Sequence, residues 1–443
     1  LHNLEQRRPE IKAAVVYIQA DGNRVVIRAE TASAPPIEIQ DIARFEQEQP
    51  EREFTYTRNE NDEVGRFESA GDSAPVGTGF LNLLRGAPVG RDTLVLEAER
   101  FWRTVQNPNS NEYREFADQL YDLLIRPVEN EFDEQGIEVN TLLVAMDAGL
   151  GLLPLASLYD SETEQYLAEK YRLAIIPSFK ALDVRPSEFS GTDVLAMGAS
   201  QFRETDRYAP LAAVPIELQL IENIWGEDQV EVLKNEDFTL GNLRRERREH
   251  PYSIVHLASH ANFRTGQPGD SSIQFWDTNL PLNKLQLSTL NFNNPPLELL
   301  VLSACQTALG DENAVLGFAG SFLDAEVKSV LASLWYVNDL ASLLYMMEFY
   351  RNLSAGLTKA EAVQNAQRAF LDEQRTMQNL KELSLVLNTI LNDERSRETL
   401  TEAELERLNR LSNEINDEKI TRLAENYTHP FYWSAYTLVG SPW

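Results

Sequence analysis

From about residue 140 the chain alternates short, continuous apolar runs with helix-length segments. The runs fall at 141–146, 173–176, 193–197, 254–255, 299–302 and 329–334. Strands that are apolar at every position are buried on both faces, which predicts a parallel sheet covered by helices. Segments near 215–225, 238–248, 314–326 and 340–352 have helical spacing and supply the crossovers. This is a doubly wound α/β pattern. Upstream, 13–18 and 25–27 flank Asp21-Gly22 and read as a β-hairpin. Residues 41–75 are charged and mixed, a helix followed by a loop around Asn59-Glu60-Asn61-Asp62, and a Gly/Ala/Pro-rich stretch follows at 70–90. Helices are expected at 97–106 and 113–125, the second stopped by Pro127. Near the C-terminus, 358–373 is helical. From Arg375 to Pro430 the chain is rich in Glu, Lys, Arg, Asn and Leu and free of proline, which predicts two or more long amphipathic helices. They read as a solvated hairpin projecting from the core with few contacts to the sheet, or as an arm that docks a partner. No repeat of 20–50 residues is evident.

The chain has 443 residues, room for two or three domains or one large α/β unit. With 43% hydrophobic and 25% charged residues it is globular in composition. It carries 69 acidic and 40 basic residues, a net charge of −29. That balance argues against nucleic acid and anionic membrane surfaces and favours basic partners. No run has the roughly 18 to 20 apolar residues of a membrane span. Nothing in the first residues resembles a signal peptide, and Leu1 in place of Met fits an excised portion of a longer protein. A single cysteine, Cys305, excludes an internal disulfide framework and a multi-cysteine metal site. It fits a reducing, cytoplasmic setting.

In an open parallel sheet, functional groups collect beyond the carboxyl ends of the strands. The run at 254 leads to Ser259-His260, the run at 299 to Ala304-Cys305, and the run at 329 to Asn338-Asp339. If those strands are neighbours, His260, Cys305 and Asp339 share one edge. A cysteine nucleophile needs a base nearby. Of the five histidines, His2 is terminal, His250 lies in a charged loop, and His429 precedes Pro430. His256 sits within an apolar run, as a core histidine bonded to backbone. His260 remains as the partner for Cys305. The plain alternative is that Cys305 is a small buried hydrophobe. His256 and His260 have the i, i+4 spacing of helical zinc proteases but no intervening Glu, and they lie on a strand. There is no Gly-x-Ser-x-Gly elbow and no Walker loop, and Gly149-Leu150-Gly151 reads as a turn. No metal or cofactor is expected.

Two segments carry a resemblance: Ile254-Val255-His256-Leu257-Ala258-Ser259-His260-Ala261-Asn262-Phe263, and Val301-Leu302-Ser303-Ala304-Cys305-Gln306-Thr307-Ala308-Leu309-Gly310. They resemble the CHAT domain, a caspase- and separase-like cysteine peptidase family abundant in filamentous cyanobacteria and often attached to tetratricopeptide repeats. The likeness extends to Leu153-Pro154-Leu155, Ser333-Leu334-Trp335-Tyr336-Val337-Asn338-Asp339, Glu348-Phe349-Tyr350 and His429-Pro430-Phe431-Tyr432-Trp433, about residues 95 to 443. It implies a caspase–haemoglobinase-like α/β/α sandwich with a mostly parallel sheet and a helical insertion at about 376–427. The parts would be a lead-in at 1–90, a pseudo-caspase-like α/β part at 91–190 and a catalytic part at 191–443. It also implies a cysteine endopeptidase with His260 and Cys305 as the dyad, and an oxyanion site using backbone N–H groups near Cys305 and at Ala261. The partner would be a protein substrate, with a regulatory protein or attached repeat module. Asp339 resembles the acid at the base of a separase-like pocket for Arg or Lys; otherwise it only caps the helix that follows.

Three departures stand out. Many relatives have Gly where this chain has Ala261. If that position needs φ > 0, alanine costs on the order of 1 kcal/mol. Leu150-Gly151-Leu152 stands where relatives often carry Leu-Arg, and 376–427 is longer than usual. Asp311-Glu312-Asn313 reads as a solvated turn, or as a loop open to self-cleavage. A catalytically idle scaffold acting through its helical arm is the competing expectation.

Overall fold

The computed structural model describes residues 1–21, 24–39, 54–57, 66–69, 91–147, 149–178, 182–183, 185–189, 191–202, 208–211, 213–262, 271–303, 317–392, 397 and 400–443. Among these the main sheet has eleven strands. In chain order they are β1 (Ala13–Asp21), β2 (Arg24–Thr31), β3 (Ile37–Ile39), β4 (Thr141–Met146), β5 (Arg172–Ile175), β6 (Val194–Gly198), β7 (Val230–Lys234), β8 (Ile254–Ala258), β9 (Leu299–Ser303), β10 (Ser329–Ser333) and β11 (Tyr436–Gly440). Their spatial order is β7-β6-β8-β9-β10-β11-β5-β4-β1-β2-β3.

The sheet is mostly parallel but has a seam. Strands β7, β6, β8, β9 and β10 run parallel to one another. β11, β5, β4 and β1 form a second parallel set. The two sets meet antiparallel at β10 and β11, where Ser329 faces Gly440 and Ser333 faces Tyr436. The sheet is thus the mostly parallel one expected, with one reversal at this seam. The last strand returns across the middle of the sheet and reverses the direction of one half. The expected hairpin joins that half, β1 pairing with β2 over eight register positions.

The pattern of burial explains which strands are readable from the chain. β6, β8 and β10 are buried at every residue, so both faces are covered. Edge strand β7 is buried only at Val230 and Leu233, with Glu231 and Lys234 exposed, and its mixed pattern hides it in the sequence. Residues 54–57 and 66–69 pair as a small antiparallel ribbon where a helix and loop are expected; residues 58–65 lie outside the described residues. Pro127 does not merely stop a helix. Tyr113–Leu124 ends at Ile125, and Pro127 sits in the first turn of the next helix, Arg126–Gln135, where its missing N–H costs nothing. Gly149 forms the expected turn with φ +95, and a Cβ there would meet Val95 at 2.9 Å.

Two helices flank the carboxyl ends of β6, β8 and β10. Val214–Trp225 packs on β6, where Gly198 allows the close approach: a Cβ would come within 2.7 Å of Val214 and of the Ala258 carbonyl. Asp339–Ser354 packs against the same helix.

The C-terminal region is helical, with Lys359–Leu371, Glu373–Asn392, Glu402–Glu414 and Asp417–Tyr427. It is not the loosely attached hairpin that its polar composition suggests. Leu380, Leu383, Leu387, Leu408, Leu411, Ile415 and Ile420 are all buried within the main core cluster. Each isolated apolar stripe among charged residues is covered by the facing helix.

Candidate active site

β8 and β9 are neighbours in register, with Ala258 opposite Ser303, and β10 lies beside β9. His260 is two residues past Ala258. Cys305, two positions past Ser303 in the chain, lies outside the described residues, as does Asp311-Glu312-Asn313. The strand order therefore brings the chain exits that carry the three candidates to one sheet edge.

His260 is half-buried between two aromatic rings. It stacks on Tyr208 at 5.1 Å and packs against Phe202 at 5.0 Å. Its Nε2 is 2.7 Å from the carbonyl oxygen of Ala209. A carbonyl only accepts, so Nε2 carries the hydrogen and Nδ1 is the basic nitrogen of the neutral ring. The ring is thus fixed in orientation and tautomer by a backbone group, which leaves no trace in sequence. Ala261 begins a short antiparallel sheet opposite Ile273, in extended backbone. It is not in the left-handed region, so the strain considered for an alanine at this position does not arise.

His256, 0% exposed, is a core histidine as expected, but its partners are side chains rather than backbone. Its Nδ1 is 2.9 Å from the Tyr350 hydroxyl. Its Nε2 lies 3.3 Å from Glu217 Oε1 without hydrogen-bond geometry.

A cleft of about 570 Å³, open solvent included, is lined by Ser259, Ser303, Ser333, Tyr336, Asp339 and Glu217, among others. It adjoins the ends of β8, β9 and β10. Trp335 and Tyr336 both line it, but differently. Trp335 is buried and donates to the Phe431 carbonyl at 2.9 Å, whereas Tyr336 is exposed and its hydroxyl donates to Asp339 Oδ1 at 3.3 Å. Asp339 is not the helix cap. Asn338 is, its side chain accepting from the Ala341 N–H at 2.8 Å. The Asp339 carboxylate is thereby left for other work. Arg407, on the helix Glu402–Glu414, takes it: Nε and the terminal nitrogen are both 3.0 Å from Asp339 Oδ2. Nothing in the sequence marks Arg407, an arginine on a charged helix 68 positions away.

His429 has a structural task. Its Nδ1 accepts from the Phe431 N–H and its Nε2 donates to the Ser110 carbonyl at 3.0 Å. Burial holds its pKa below the usual histidine value. Among the described residues no group of three or more His, Cys, Asp or Glu is placed to hold a metal ion, and no described helix is long and apolar enough to cross a membrane.

The fold and this edge define an α/β sheet protein with a cleft beyond the carboxyl ends of its central strands. The CHAT domain profile matches residues 114–441. The chain belongs to the CHAT domain family. Among curated proteins it is similar to tetratricopeptide repeat protein 28 of Homo sapiens, 24% identical, and of Mus musculus, 23% identical. Each match covers 56% of this chain and 12% of the relative, so the chain spans only a small part of those proteins. Among solved structures it is similar to the Arg-specific cysteine proteinase gingipain R (RGPB), with TM-score 0.40 and 12% identity over 78% of this chain and 69% of that one.

Proposed function

We propose that the chain is a caspase-like cysteine endopeptidase that cleaves a protein substrate after a basic residue, with Cys305 as nucleophile and His260 as base and acid. The observation that carries the reading is the setting of His260. It leaves the strand beside the one that leads to Cys305, with Nε2 held by the Ala209 carbonyl and Nδ1 as its basic nitrogen. In this reading the Cys305 thiol gives its proton to His260 and the thiolate attacks the scissile carbonyl. His260 passes that proton to the leaving amine as the C–N bond breaks, leaving a thioester. Water then attacks the thioester, giving a proton to His260 and the hydroxyl to the acyl carbon. The carboxylic acid departs, and the proton returns to sulfur. Backbone N–H groups at Ala261 and near Cys305 hold the oxyanion. Asp339 accepts two hydrogen bonds from a substrate guanidinium, or one from lysine.

A second reading, an idle caspase-like scaffold that works by protein contact, draws on one observation: the pocket acid is already engaged by Arg407. An attached repeat module or regulatory partner, in a soluble cytoplasmic setting, belongs with either reading. A peptidyl acyloxymethyl ketone separates them. Covalent labelling that disappears in Cys305→Ala supports the peptidase. Absence of labelling in both wild type and a variant with Arg407 removed supports the scaffold.

A further inference from the structure

Glu404 and Arg407 are three residues apart and lie on one face of the helix Glu402–Glu414. Arg407 grips Asp339. Glu404 is 1% exposed. Its carboxylate accepts from the Thr401 N–H and hydroxyl, each at 2.7 Å, which closes the N-terminal capping box of the helix. The same carboxylate also accepts from the Gln201 side chain at 3.1 Å and from the Ser200 hydroxyl. Ser200 in turn accepts the Leu211 N–H at 2.8 Å, two residues from the Ala209 carbonyl that holds His260. One helix face therefore touches the pocket acid and, through Ser200, stands one hydrogen bond from the segment that orients the candidate base. Leu408, Leu411 and Ile415 anchor the same helix by burial.

We infer that this helix is a built-in occupant of the site, with Arg407 standing where the guanidinium of a substrate arginine would bind. The inference rests on the reading of Asp339 as the pocket acid. A tethered cation at a site has an effective concentration that reaches the millimolar range. A free guanidinium must displace it, and its apparent affinity falls by the fraction of molecules in which Asp339 is released. Arg407 and Asp339 side chains are 20% and 21% exposed. The ion pair alone is therefore of modest strength, and the contacts of Glu404 and the apolar anchor complete the hold. A partner that draws the helix away would open the site without new chemistry.

Calorimetric titration of the full chain with agmatine, a guanidinium ligand that cannot be cleaved, tests this independently of turnover. Arg407→Ala and Arg407→Gln should each bind agmatine at least tenfold more tightly than wild type, and Arg407→Ala with Asp339→Ala should lose the gain. Circular dichroism checks that each variant is folded, and two substitutions guard against one failing to fold. Affinities within twofold of wild type in both single variants overturn the inference. So does a gain that persists without Asp339, and so does absence of binding in every variant. Failure of Cys305 labelling bears only on the peptidase reading and leaves this result standing.

Discussion

The two parallel halves of the sheet place similar residues at their carboxyl ends and put them to different uses. At the exits of β8, β9 and β10 lie His260, the segment leading to Cys305, and Asp339, beside an open cleft. The other half points the opposite way, and the exits of β4 and β11 are closed by structural bonds. Asp147, directly after β4, accepts from the Ala20 N–H at 3.0 Å. Beyond β11, Ser441 and Trp443 both donate to the Asp183 carbonyl, and the Asp183 carboxylate pairs with Lys328 at 3.1 Å. A strand end is therefore a place where chemistry can be put, not a site in itself. What distinguishes the first edge is a histidine whose tautomer is fixed and a carboxylate released from capping.

The largest effect separating the halves should be catalytic. Cys305→Ala and His260→Ala are each expected to lower peptide cleavage at least about a hundredfold, the usual worth of a nucleophile or a general base, with far-ultraviolet circular dichroism unchanged. Asp183→Asn, at the opposite edge, should leave the rate within twofold. Cleavage that survives in Cys305→Ala would break the comparison.

Asp339→Ala should come next. Losing a desolvated guanidinium contact costs about 2 to 4 kcal/mol of transition-state binding, or roughly 30- to 1000-fold in kcat/KM for arginine substrates. The variant should still react with a small thiol reagent. Steady-state kinetics with paired arginine and leucine peptides measures this, and a wild-type preference for leucine would contradict it.

Within β8 itself, His256→Ala should cost stability rather than chemistry. Its loss leaves the buried Tyr350 hydroxyl without that partner, at about 1 to 3 kcal/mol. Urea denaturation should show the midpoint shift. Loss of activity at unchanged stability, with His260→Ala still active, would reverse the roles of the two histidines.

The smallest effect belongs to the second half and is one of pH. Burial alone would raise the Asp160 carboxyl. Hydrogen bonds from Arg126, Thr163 and Lys170 outweigh that and hold it well below the usual carboxylate range. A carboxyl depressed in the folded state stabilises fully above its unfolded value near 4 and loses that contribution as pH falls towards the folded value. Asp160→Asn should therefore flatten the decline of Tm between about pH 5 and 2. An unchanged slope would remove Asp160 from the acid response.

Legibility in the sequence followed burial. β4, β8 and β9 are plain in the chain because both of their faces are largely covered and all but one residue in each is apolar. β11 is missed because its sequence, Tyr-Thr-Leu-Val-Gly, follows an aromatic motif and gives no sign that it runs against β10. His260 and Asp339 were readable as strand-end residues. The features that define their setting were not: the Ala209 carbonyl is a backbone acceptor, and Arg407 reaches Asp339 across 68 residues. Such contacts exist only after the chain has folded. The helical arm shows the converse error, since its polar composition conceals a leucine stripe that covers its own neighbours.

The most direct test is mass spectrometry of the products formed from a peptide library by wild type, Arg407→Ala, and Arg407→Ala carrying Cys305→Ala. The account predicts cuts after arginine and, more weakly, lysine. Arg407→Ala should give more of them than wild type, and Cys305→Ala should give none. Absence of cuts by both wild type and Arg407→Ala, or cuts that persist without Cys305, would contradict it.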